Sequence, residues 1–379
     1  MSNFDDIRPF NNDEIKQALS ELVADQMFVS VVGKLYPQPG AKEKVLESIK
    51  HIDSVELFQE KIILPLLDQI EKQTTQGISF SAMDQFNPEE RYLFISNHRD
   101  IILDSAFLNV VMHLNNFRKT EIAIGNNLLI FDWISKLVRV NRAFIVKRNL
   151  GIREQLSASK ELSAYIRYAL NQKGESVWIA QREGRTKDGD DKTQPALLKM
   201  LNMSSDGDVV EGFKALNIVP MAISYEIEPC GISKVEELLS RKHNPNFAKT
   251  AQDDLNSMAN GVMQAKGRVH FGFGNPLNIR IDELTIGKNN NEIIQTIADY
   301  IDKRIYANYR LWPNNYIAAD LLQQNQKYSE HYTLSQKQRF IELMENEAKT
   351  LSFDFNEVVD TYLKIYANPV LNYAAHFEV

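Results

Sequence analysis

The chain has 379 residues, 44% hydrophobic and 25% charged, with a formal net charge of −7, which suits two domains or one sizeable core with helical additions. Its single cysteine, Cys230, excludes an intramolecular disulfide and any zinc site built of paired thiolates, and fits a reducing cytoplasm. The acidic, polar start lacks the features of a signal peptide. No apolar run approaches the ~20 residues of a spanning helix, so the chain reads as soluble and cytoplasmic, or at most lying against the inner face of a membrane.

Residues 1 to about 80 read as a helical domain, because "DEIKQALSELVADQM" and "SVELFQEKIILPLLDQIEKQ" repeat apolar residues at three-to-four spacing. The stretch "TTQGISFSAMDQFNPEE" has Gly, Pro and Ser without periodicity and marks a boundary. From about 90 to 280 the pattern changes. Six short strands, "RYLFIS", "TEIAIG", "AFIVKR", "SVWIA", "NIVPMAISY" and "RVHFGF", alternate with helical stretches such as "LDSAFLNVVMHL" and "IREQLSASKELSAYIRYALNQ". That alternation predicts an α/β fold, a largely parallel mixed sheet flanked by helices. Residues 290–379 read as a C-terminal helical extension packed on that domain.

Charge is unevenly spread. Between Lys136 and Lys187 twelve Lys and Arg stand against four Glu, a local surplus of +8 in an acidic chain. Such a segment predicts an anionic ligand, or else a set of solvated helix faces. The basic stretch is too short for nucleic acid.

Several chemistries are excluded by pattern. There is no HExxH or close His pair, so no metal site is expected; nor is there a GxSxG elbow, a GxxxxGK loop or a GxGxxG after a strand. His98-Arg99-Asp100 spells a kinase tripeptide, but Ser105 stands where that motif needs its asparagine. No activated Ser or Cys nucleophile is visible, and Cys230 reads as a lone buried thiol.

"SNHRDIILD" is different. It puts His98 where a strand turns into a helix, at the carboxyl edge of a parallel sheet, the place where open α/β folds bind ligands. A histidine there can take a proton from a hydroxyl if a carboxylate fixes its tautomer. Asp104 and Asp100 are both within reach, and either one alternatively caps the helix.

Four segments, in order and spacing, resemble the blocks of the glycerolipid acyltransferase family, the glycerol-3-phosphate and lysophosphatidic acid acyltransferases. "SNHRDIILD" is similar to its histidine–aspartate block, here His98 with Asp104. "NRAFIVKR" (141–148) resembles its aromatic strand ending in basic residues, "WIAQREGRTKDG" (178–189) its Glu-Gly-x-Arg segment, and "IVPMAISYE" (218–226) the strand with its proline. The layout looks closest to the soluble plastid-type glycerol-3-phosphate acyltransferases, whereas Arg99 after the histidine looks more like the membrane enzymes. One departure stands out: the family has four residues between His and Asp, whereas here there are five, and Leu103 occupies the family's aspartate position. One helical residue rotates a side chain by about 100°, so either the turn is one residue longer, or Asp100 substitutes, or the dyad is broken. The first is favoured, because Asp104 is otherwise an unexplained acid in an apolar run.

The resemblance implies transfer of a fatty acyl group from acyl-CoA or acyl carrier protein to a hydroxyl of glycerol 3-phosphate or its 1-acyl derivative, in phospholipid biosynthesis and without a covalent intermediate. His98 and Asp104 would be catalytic; Arg142, Lys147, Arg148, Glu183, Gly184 and Arg185 would bind the acceptor; Pro220 would be an acyl-site candidate. In a strand, Pro220 itself reads as an edge or an irregularity. No cofactor beyond the acyl thioester is implied, and peripheral membrane contact is compatible with this layout. The competing expectation is a catalytically silent member of the fold that binds anionic lipid or a carrier protein. It separates from the enzyme by whether His98 and Asp104 stand within hydrogen-bond reach or more than about 5 Å apart.

Overall fold

The computed structural model describes residues 4–378. Its centre is a seven-stranded sheet in the order β1-β7-β6-β2-β5-β3-β4, with β1 Thr75–Ser81, β2 Leu93–Ser96, β3 Glu121–Gly125, β4 Ala143–Val146, β5 Val177–Ala180, β6 Ile218–Tyr225 and β7 Gly267–Phe273. β6, β2, β5, β3 and β4 run parallel, while β7 runs antiparallel to β6 and β1 parallel to β7. The sheet is therefore mixed and largely parallel, as the alternation of strands and helices predicts. β2 is its middle strand, so whatever follows β2 emerges at the middle of the carboxyl edge.

Strand alternation sends successive residues to opposite faces. From β2, Leu93 and Ile95 enter one buried layer, covered by the Ile152–Tyr168 and Asn290–Ala307 helices. Phe94 enters the other, covered by the Leu103–Leu114 helix and by Leu67 and Ile70 of the Leu64–Thr74 helix. Burial on both faces is why the parallel strands read as short unbroken apolar runs. Two satellite cores flank the sheet. Ile15, Leu19, Leu22 and Phe58 pack the N-terminal helices against Val140, and Val235, Ile317, Phe340 and Tyr362 pack the C-terminal ones.

The stretch "TTQGISFSAMDQFNPEE" holds a strand that the sequence pattern does not show: Thr75–Ser81 is an edge strand that extends the sheet beyond β7. It escapes the pattern because most of it is exposed, so no apolar alternation had to be written into it. Pro220 is not on an edge strand, since β6 pairs with β2 on one side and β7 on the other. Its carbonyl accepts from Gly274 N at 2.8 Å. The reciprocal N–H that proline lacks is replaced by Gln85 Nε2, which donates to Gly274 O at 3.4 Å.

No helix of the described residues is long and apolar enough to cross a membrane.

Candidate functional site

The turn after β2 carries His98. Residues 99–102 form the turn, the helix starts at Leu103, and Asp104 points back along it. His98 Nδ1 lies 2.8 Å from Asp104 Oδ2. The same oxygen accepts from the backbone N–H groups of Arg99 (2.6 Å) and Asp100 (3.1 Å), and Oδ1 accepts from the Tyr225 hydroxyl at 2.8 Å. Asp104 is fully buried. Burial alone would push its carboxyl up, but the His98 hydrogen bond and the two backbone donors hold it below the usual carboxylate range. It is an anion kept anionic inside the protein, which is what a carboxylate must be to orient an imidazole.

Asp100 has the other job. Its Oδ1 accepts from Ile102 N at 2.9 Å and Leu103 N at 2.8 Å, a cap on the helix start. Burial, and then the neighbouring Asp104 charge, push its carboxyl up. Of the two aspartates open in the sequence, Asp104 faces His98 and Asp100 faces the backbone.

The strands beside β2 supply the walls. β5 continues into the loop 181–194, which is closed by Gln194 N on Gln181 O (3.0 Å) and tied over the site by Gln181 N on Ser96 O (2.8 Å) and Thr186 N on His98 O (2.9 Å). Trp178 sets its indole edge-on to the His98 ring, with centroids 5.5 Å apart, and donates Nε1–H to Ser96 Oγ at 3.0 Å. β6 brings Tyr225, and beyond it Glu228. His98 itself is part-buried.

The cations expected to bind an acceptor divide. Arg148 stands on the carboxyl edge: its Nη1 lies 3.4 Å from Asn127 Oδ1 and its Nε 3.6 Å from Glu183 Oε1, which joins the loops after β3, β4 and β5. Arg185 is buried beside Thr186, and its Nη1 has no hydrogen-bond partner; its charge reaches both Asp100 and Cys230. Gly184 takes φ +70° with open space around it, so a turn requires the glycine rather than a close approach. Lys147 turns to Glu161 (3.0 Å) and Asp6 (3.8 Å), on the side of the Ile152–Tyr168 helix. Arg142 is not at the site at all. It precedes β4, at the amino edge of the sheet, and pairs with Glu175 and Glu56. Pro220 sits within β6, opposite Ile95, three residues before His98.

The +8 surplus is thus largely dissolved by acids. Lys136, Arg142, Lys147, Arg148, Lys173 and Lys187 each pair with a carboxylate, among them Glu21, Glu56, Glu121 and Glu237 from outside the segment. On the carboxyl edge that also carries His98 this leaves Arg182 and Arg185, each with a buried guanidinium nitrogen that has no hydrogen-bond partner.

Sequence reading missed Tyr225 and Asp191. Asp191 is fully buried and its Oδ2 lies 2.5 Å from Arg99 Nη2. Arg99 is held above its ordinary range: burial pulls it down, but the Asp191 and Glu228 carboxylates outweigh that. This guanidinium is engaged by acids and is not a free anion ligand.

Residues 77–224 match the family model described as Acyltransferase. That segment holds His98, Asp104 and the Glu183–Arg185 loop, and the resemblance read from the four blocks is borne out at the level of that match. Among solved structures the chain is similar to the 1-acyl-sn-glycerophosphate (LPA) acyltransferase PlsC from Thermotoga maritima, with 11% identity, coverage of 78% of this chain and 94% of that one, and a TM-score of 0.39, too distant a likeness to carry residue roles. No curated protein matches the sequence.

Proposed function

We propose that the protein moves a fatty acyl group from an acyl thioester, acyl-CoA or acyl carrier protein, to a hydroxyl of glycerol 3-phosphate or 1-acylglycerol 3-phosphate. The observation that carries this reading is the 2.8 Å contact between His98 Nδ1 and Asp104 Oδ2 inside an acyltransferase segment. With Nδ1–H donated to Asp104, Nε2 is left as the basic atom. It takes the proton of the acceptor hydroxyl as that oxygen attacks the thioester carbonyl. A C–O bond forms, the C–S bond breaks, and the proton passes from His98 to the leaving thiolate. General base catalysis of this kind contributes roughly 10²–10⁴-fold.

The acceptor phosphate needs cations with a planar fork, and Arg148, Arg182 and Arg185 line the same edge as His98. Glu183, 3.6 Å from Arg148, orients that arginine rather than acting as a second base. The five-residue spacing between His98 and Asp104 speaks for a silent fold, and their 2.8 Å contact supports the enzyme instead.

The test is thiol release from palmitoyl-CoA, and from a palmitoyl carrier protein, with either acceptor. Release above a His98→Ala control is expected. Its absence with both donors and both acceptors sinks the reading.

A further inference from the structure

The two residues that flank His98 share one acceptor. Asn97 Nδ2 and Arg99 Nη2 both donate to Asp191 Oδ2, at 3.2 and 2.5 Å. The same oxygen takes a third hydrogen bond, at 2.7 Å, from the hydroxyl of Tyr309, and the Asp191 carbonyl accepts from Tyr306 at 2.7 Å. Both tyrosines belong to the C-terminal arm, at and just past the end of the Asn290–Ala307 helix and outside the family-matched segment.

The rest of the turn is already fixed. Asn97 exchanges two hydrogen bonds with the backbone of Ile223, at 2.8 and 2.9 Å. The Arg99 carbonyl accepts from Lys234 Nζ at 2.8 Å, and that ammonium pairs with Glu228 at 2.5 Å. Asp191 is the group that couples this turn to the arm. The loop bearing it is held along its length: Asn368 Nδ2 donates to Asp188 O at 2.7 Å, Asn372 Nδ2 to Asp190 Oδ1 at 3.3 Å, and Thr193 N to Asp302 Oδ1 at 2.8 Å. Gly189, at φ +78°, lies so close to the Ile365 backbone that a Cβ would overlap it. A buried ionic cluster is weak evidence for stability, because desolvation offsets its attraction. Its direct product here is geometry.

We infer that Asp191 and Tyr309 are positioning residues for His98: Tyr309 fixes the Asp191 carboxylate, Asp191 fixes Asn97 and Arg99, and the imidazole between them is thereby held against Asp104. The C-terminal arm is on this view part of the catalytic unit. The inference rests on His98 being the base.

The experiment uses the full chain with Tyr309→Phe, which removes one hydroxyl, and Asp191→Asn. Tyr309→Phe is expected to lower kcat about tenfold with KM within about twofold, the signature of lost transition-state geometry. Asp191→Asn should cost about 10²-fold; if it does not fold, Tyr309→Phe decides alone. A second readout is independent of turnover. The downfield Nδ1–H proton resonance of His98, assigned by its loss in His98→Ala, should exchange with water faster in Tyr309→Phe. Wild-type kcat and a wild-type resonance in Tyr309→Phe, with His98→Ala inactive, overturn the inference even if the melting temperature falls. An active His98→Ala overturns the base reading instead, and the resonance then still decides whether the arm positions the ring.

Discussion

His98 and Asp104 are six positions apart in the chain, yet Nδ1 and Oδ2 meet at 2.8 Å because a turn over residues 99–102 precedes the helix that starts at Leu103. Asp100, only two positions away, spends its Oδ1 on the helix N–H groups of Ile102 and Leu103. The two acids therefore separate on substitution. Asp104→Asn is expected to lower kcat by about 10²–10⁴-fold, since an amide neither bears the charge that stabilises an imidazolium nor fixes the same tautomer. Asp100→Asn keeps a side-chain oxygen that caps equally well and should stay within a few-fold of wild type. Steady-state thiol release measures both. An active Asp104→Asn protein would remove Asp104 from the mechanism.

Tyr225 donates to the Asp104 oxygen that His98 does not use, and burial, then the Asp104 charge, push its phenol well above the ordinary range, so it stays a donor. Tyr225→Phe leaves one buried carboxylate oxygen without that donor, a cost of about 1–3 kcal/mol in stability. It should also lower kcat by about tenfold with KM little changed, if Asp104 is free to rotate away from His98. Denaturant melts and kinetics on the same preparation separate the two effects. An unchanged kcat would show that the backbone donors of Arg99 and Asp100 suffice to hold Asp104.

Arg142 and Arg148 are six residues apart and look equivalent in sequence, but β4 runs between them and places them on opposite edges of the sheet. Arg148→Gln and Arg185→Gln are expected to raise KM for the phosphate acceptor by about tenfold each, a loss typical of one charge-assisted contact. Arg142→Gln should leave KM and kcat at wild-type values and lower the melting temperature, because Glu175 then stays part-buried without its cation. Equal effects from all three would show that these arginines act through folding alone.

The same pair shows what a sequence can and cannot disclose. β2 to β7 are legible because strands buried on both faces must be apolar throughout. His98 is legible because a polar cluster at a strand end has to serve something. β1 is hidden because an exposed edge strand places no demand on its side chains. Asp191 and Tyr309 are hidden for a different reason: Asp191 meets Asn97 and Arg99 across 94 and 92 positions and Tyr309 meets Asp191 across 118, and no local period encodes a contact that only the tertiary fold closes. Arg142 shows that adjacency in the chain is not adjacency in space.

Acid should weaken the fold partly through His270. This ring lies on β7 between Ser79 Oγ, 2.8 Å from Nδ1, and Ser81 Oγ, 3.1 Å from Nε2. Burial, and then the Arg310 charge, push it from 6.5 down to about 4. Above pH 6.5 the ring is neutral in both folded and unfolded chains and contributes nothing to the pH dependence. Between about 6.5 and 4 the unfolded chain takes up a proton that the native ring refuses, so stability falls as pH falls across that window. Allowing for the partial exposure of the ring, the loss is about 1–2 kcal/mol. His270→Gln retains an amide that can bond a serine hydroxyl and cannot titrate, so its stability should vary less between pH 6.5 and 4 than that of the wild type. Urea melts of both proteins at several pH values measure the difference. Parallel pH curves would assign the acid sensitivity to other groups, and the ring would then be a bystander that stays neutral without cost.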